Sequence, residues 1–167
     1  SGDIVVIKYG GHAMGDSKLS KSFSEDIGLI KQVGIHPIII HGGGPQIGEK
    51  LKLKNIKSEF VDGLRVTDEY VVKIVEEVLA KDINKEIVEA INNSGGKAVG
   101  LAGNQNNLIS ANKLKAKTKD ADSNIEKLVD IGFVGHPTNV KNTILMNHIK
   151  KGEIPVIAPL GIDSNNN

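Results

Sequence analysis

The sequence has no cysteine and no tryptophan, and only five aromatic residues among 167. Without thiols there can be no disulfide framework and no thiolate zinc or iron–sulfur site, a composition that fits a reducing, cytoplasmic setting. Tyr9, Phe23, Phe60, Tyr70 and Phe133 are too few and too scattered to form a base-stacking platform. An excess of one charge is missing too. The 21 basic and 20 acidic residues leave a formal net charge of +1, which argues against the basic face a nucleic acid requires. The longest aliphatic runs, residues 4–7 and 38–40, fall far short of a membrane span.

Arginine is also nearly missing. Arg65 is the single guanidinium among the 21 basic residues, and all the others are lysine. A codon bias toward lysine explains the excess. The lone arginine still stands out, because lysine cannot reproduce the planar fork that grips a carboxylate or phosphate through two bonds.

What is present is a chain long enough for one domain, with 39% hydrophobic residues and a core that can bury roughly 70% of its unfolded surface. Residues 3–8 read as an apolar strand buried on both faces of a parallel sheet. A glycine-rich turn follows, and then Leu19, Phe23, Ile27, Ile30 and Val33 recur at helical spacing up to a capping Gly34. Residues 37–41 form a second strand, closed by Gly42, Gly43 and Gly44, and a further helix is predicted over 46–54. This alternation predicts an α/β layer with a parallel sheet and right-handed crossovers. Further on, residues 57–66 read as extended pieces around an Asp62-Gly63 turn. Thr67 reads as the hydroxyl cap of a helix that continues to Gly95-Gly96. Strands are predicted over 97–102, 129–134 and 154–158, a polar tip over 103–107, a charged loop over 117–124 and a helix over 138–151.

Three clusters could carry chemistry. Lys8, with Gly10 and Gly11 after it, places an ammonium and two bare backbone positions at the carboxyl end of a strand, where open α/β sheets bind ligands. A surface lysine before an ordinary turn is the alternative. His41-Gly42-Gly43-Gly44-Pro45-Gln46 puts three glycines between a buried strand and a helix. They cost conformational entropy, so they indicate either positive φ or close approach, and followed by a helix they form an anion-receptive nest. A merely flexible loop is the alternative. Gly63-Leu64-Arg65-Val66-Thr67 places Arg65 at a turn-to-helix junction, where it could reach across the sheet edge or pair with a nearby acid. The phosphate loop Gly-x-x-x-x-Gly-Lys-Ser/Thr, the dinucleotide fingerprint and the Gly-x-Ser-x-Gly elbow are all missing from the sequence. The five histidines lack zinc-ligand spacing, and no metal ligand is expected.

In their order, these clusters resemble the N-acetylglutamate kinases of the amino acid kinase family. Asn84-Lys85-Glu86-Ile87-Val88, the run 95–101, the run 130–135 and Ile154-Pro155-Val156-Ile157-Ala158-Pro159 extend the likeness over nearly the whole chain. The resemblance implies a carbamate-kinase-like αβα sandwich around a central, mainly parallel sheet. It implies transfer of the ATP γ-phosphoryl group, with Mg²⁺, to the γ-carboxylate of N-acetyl-L-glutamate in arginine biosynthesis. It further implies that Lys8 stabilises charge on the transferring group and that Gly43 and Gly44 offer backbone donors. Gly10 and Gly11 would line the phosphates, and Arg65 would clamp the substrate's α-carboxylate. A homodimer built through the sheet edge and the helix after Thr67 is implied as well. Two departures stand out: residues 103–107 replace a Gly-Lys-Asp-Gly-like tip, and His136 stands where an acid is common. An Asn-x-Asn-Ala-Asp segment and an ATP-binding lobe are expected beyond Asn167. Residues 1–167 would then be the amino-terminal, N-acetylglutamate-binding lobe, inactive alone. A sibling kinase for carbamate, aspartate, glutamate or UMP and a non-catalytic small-anion-binding domain are the competing readings.

Overall fold

A computed structural model describes residues 2–10, 14–119 and 126–167. Four parallel strands form the central sheet: β1 (Ile4–Tyr9), β2 (His36–His41), β5 (Ala98–Ala102) and β8 (Ile154–Ala158), in the order β1-β2-β8-β5. Side chains alternate between the two faces. Ile39 of β2 joins Ile154 and Val156 of β8 in one core, while Ile38 joins Ile157 in a second core on the opposite face.

The first core is covered by α1 (Ser17–Gln32), α2 (Gly44–Leu53) and one long helical run. That run consists of α3 (Glu69–Glu76), a π-helical stretch (Glu77–Ile83) and α4 (Asn84–Asn93). The second core lies under α5 (Asn142–Lys150), through Leu145 and Ile149. Helices thus flank a parallel sheet on both sides, as the alternation requires. Two antiparallel ribbons lie outside the sheet. One joins β3 (Phe60–Val61) to β4 (Leu64–Arg65); the other, much longer, joins β6 (Ile109–Lys119) to β7 (Glu126–Val140).

Several expectations are corrected by the coordinates. β1 is a border strand rather than a strand buried on both faces; Val5 is 41% and Val6 65% exposed. The cap of α3 is Asp68, whose carboxylate accepts from the Tyr70 and Val71 N–H groups, whereas the Thr67 hydroxyl donates to the Arg65 carbonyl. Residues 138–140 finish β7, so α5 starts only at Asn142. Residues 117–119 belong to β6, while the rest of the expected charged loop, 120–124, lies outside the described residues.

Candidate functional site

β1 and β2 run in register, with Lys8 beside Ile40 and Tyr9 beside His41, so both chains leave the sheet at the same rim. There the Gly42 N–H donates to the Tyr9 carbonyl at 2.8 Å, binding the two glycine turns side by side. Tyr9 faces inward and stacks on Phe23 of α1, with ring centroids 3.9 Å apart. Lys8, one residue earlier, points to the other face and is exposed. Gly11 lies outside the described residues.

Gly43 shows why the bend is glycine. Its φ of 166° lies outside the left-handed region that favours glycine; space is the reason. A Cβ at this position would come within 2.6 Å of both Leu79 Cδ2 and Ile83 Cδ1 from the π-helical stretch. The chain then turns into α2, with Gly43 as N-cap, no capping side chain and no acid in the first turn. The leading N–H groups of a helix have no partner inside it, and the positive end of this dipole has no acid in the first turn. Gln46 closes the arrangement by donating from Nε2 to the Met14 carbonyl at 3.3 Å.

Arg65 comes to the same place from the β3–β4 hairpin. That hairpin turns on Asp62 and Gly63, both at positive φ, the conformation a two-residue turn of this hand demands. Arg65 therefore ends a hairpin strand rather than standing at a turn-to-helix junction. One of its terminal nitrogens, Nη2, donates to the Gly44 carbonyl at 3.1 Å, and Nη1 donates to the Ser58 hydroxyl. The guanidinium lies over the Phe60 ring, 4.6 Å from its centre. Among the described residues no carboxylate pairs with it, which removes the local salt bridge as an explanation. Burial pulls its pKa down from a value so high that the charge is kept. Among the described residues, two of the five guanidinium N–H groups are used, by Ser58 and Gly44.

His41 lies directly beneath the bend, 2% exposed. Its Nδ1 is 2.9 Å from the Gly42 carbonyl and its Nε2 is 3.2 Å from the Asn84 amide nitrogen. The same Asn84 nitrogen donates to the Val156 carbonyl at 2.9 Å. Burial pushes the His41 pKa down.

Of the residues singled out from sequence, Gly10, Gly43, Gly44 and Arg65 thus gather at one rim, with Lys8 on the adjoining strand. Sequence periodicity pointed to none of Ser58, Phe60 or Asn84, whose contacts hold these groups in place. Their partners are distant in the chain, and Asn84 stands out locally only as a polar residue on an apolar helical face.

The sequence profile of the amino acid kinase family matches residues 3–167. The chain belongs to the amino acid kinase family. Acetylglutamate kinase of Rhodospirillum centenum is 56% identical over 162 residues, which cover 97% of this chain and 53% of that protein. The Agrobacterium fabrum acetylglutamate kinase is 56% identical over 156 residues, covering 93% and 53%. The chain spans about half the length of the curated relatives it matches. Among solved structures, a Streptococcus mutans UA159 protein superposes with a TM-score of 0.83 at 26% identity, covering all of this chain and 62% of that one. A Neisseria gonorrhoeae N-acetylglutamate synthase complexed with coenzyme A and N-acetyl-glutamate gives 0.76 at 22% identity, covering 99% and 35%. A carbamate kinase from Giardia gives 0.56 at 16%, covering 94% and 59%. These last two show a shared fold alone.

Proposed function

We propose that this chain is the amino-terminal, substrate-binding lobe of a kinase that phosphorylates the γ-carboxylate of N-acetyl-L-glutamate with ATP, in the cytoplasm, as a step of arginine biosynthesis. The observation that carries this reading is the meeting of Arg65 with the Gly42–Gly44 bend. Relatives 49–56% identical over 93–97% of the chain and named acetylglutamate kinase support it.

The chemistry suits the side chains at hand. A carboxylate is already ionised at neutral pH, so no base is needed to make it a nucleophile. Its oxygen bonds to the γ-phosphorus, the bond to the bridging oxygen of ADP breaks, and an acyl phosphate and ADP result. Catalysis is then mostly alignment and charge neutralisation. In this reading Arg65 holds the α-carboxylate through its unused N–H groups. Backbone N–H groups of Gly43 and Gly44 receive the transferring phosphoryl oxygens, Gly10 and Gly11 line the phosphates, and Lys8 offsets their charge. Mg²⁺ enters with ATP as co-substrate. The larger part of the ATP site is assigned to the other half of the protein.

The test is a panel of acceptors given to the full-length protein with MgATP. ADP release is expected with N-acetyl-L-glutamate, accompanied by a hydroxamate when hydroxylamine traps the acyl phosphate. Preference for carbamate, aspartate, glutamate or UMP would assign the chain to a sibling activity. Binding of small anions without turnover would leave a non-catalytic module.

A further inference from the structure

His41 and Asn84 are not among the ligand-facing groups, yet they are buried together directly under the bend and join three elements: β2, the start of α4 and β8. Their hydrogen bonds fix each other's chemistry. An amide nitrogen only donates, so the Asn84 Nδ2 that faces His41 requires an unprotonated, accepting Nε2. The proton of the neutral ring is then on Nδ1, which donates to the Gly42 carbonyl. The other Asn84 amide proton goes to the Val156 carbonyl, so the amide cannot flip without losing both bonds. Gly100 leaves room for it, since a Cβ there would strike the Asn84 carbonyl oxygen.

The consequence for the bend follows from the planar trans peptide. The carbonyl of Gly42 and the N–H of Gly43 belong to one peptide unit and point in opposite directions. Holding the carbonyl toward His41 therefore aims the Gly43 N–H away from it. Among the described residues that N–H has no hydrogen-bond partner. The π-helical stretch acts on the same unit from the side, with Leu79 and Ile83 against the Gly43 Cα and Asn84 as the next residue. Such stretches recur at functional sites.

We propose that His41, locked by Asn84 in its Nδ1-protonated neutral form, is a positioning residue that fixes the direction of the Gly43 N–H donor. The consequence for turnover rests on the kinase reading above; the tautomer and the N–H direction do not.

Nitrogen-15 NMR of the full-length protein tests it without turnover. The expected spectrum shows a protonated Nδ1 and a bare Nε2 for His41. The isosteric Asn84→Asp places an acceptor against Nε2, and is expected to move the proton onto Nε2 and shift the Gly43 amide resonance. In kinetics, Asn84→Asp and His41→Leu are expected to lower kcat at least tenfold, with KM for N-acetyl-L-glutamate changed less than threefold. His41→Asn, which keeps a donor near the Nδ1 position, is expected to recover most of the rate. An Nε2-protonated or doubly protonated ring in the unmodified protein would overturn the proposal. So would a folded Asn84→Asp variant with an unmoved Gly43 resonance and normal kcat. Failure of the unmodified protein to phosphorylate N-acetyl-L-glutamate would count against the kinase reading and leave the spectroscopic result to decide this one.

Discussion

Among single residues, Arg65 answers the question its rarity poses. Twenty lysines serve the rest of the chain, but this position needs a fork that can bond Gly44 and Ser58, sit over Phe60 and still offer further N–H donors. A lysine ammonium offers three donors from one atom and no flat face. Arg65→Ala in the full-length protein is expected to weaken N-acetyl-L-glutamate binding by about 1.5–3 kcal/mol, the size of a lost charge-assisted contact. Titration calorimetry would read this as roughly a 10–150-fold rise in Kd. Arg65→Lys should recover little of it; unchanged binding in Arg65→Ala would remove the clamp assignment. His41 supplies a pH effect on stability. Burial keeps the folded ring below its ordinary pKa of 6.5, so the unfolded chain takes up the proton more readily. Its contribution is therefore complete above that value and is lost as the pH falls toward the folded pKa. Neither Gly42 nor Asn84, its hydrogen-bond partners, carries a titratable group at these contacts. Urea midpoints measured between about pH 5 and 8 are expected to fall on the acid side, and His41→Asn to flatten that fall.

At the level of elements, the legible parts were those whose burial is symmetrical. β2 and β8 sit inside the sheet with apolar residues toward both cores, and their unbroken aliphatic runs announce this. β1 has an equally apolar sequence but forms the border, because nothing in a run of isoleucine and valine says which neighbour is missing. β6 escaped notice for the opposite reason. Lys113, Lys115 and Lys117 alternate with less polar residues, the period of a ribbon that is wet on one face, yet the charge itself suggests a loop. The site was legible where glycine or arginine stands out from its background, as at Gly43 and Arg65. It was illegible where an ordinary serine or asparagine acts through a distant partner, as at Ser58 and Asn84. The displaced cap of the long helical run is directly testable. Asp68→Ala is expected to cost about 1 kcal/mol through loss of its bonds to the Tyr70 and Val71 N–H groups, seen as a lowered Tm.

For the molecule as a whole, β1 borders the central sheet, where among the described residues no strand pairs with its outer side and its valines lie in solvent. Edges of this kind invite further strands. The 167-residue chain by itself is therefore expected to scatter more light as concentration rises than the full-length protein does. A homodimer of the full-length protein, the assembly its resemblance implies, is checked by the same measurement, with a monomeric mass as the contrary result.

Strand β8 has a consequence for how the chain comes to be folded. Of the four sheet strands described it comes latest in sequence, yet it lies between β2 and β5, which have no contact in the sheet until it arrives. Before residue 154 emerges, the central sheet consists of one two-stranded piece, β1 with β2, and the orphan strand β5. Both cores stay open for that time, so resistance to proteolysis of this lobe during synthesis should arrive abruptly, when residues 154–158 slide into the gap.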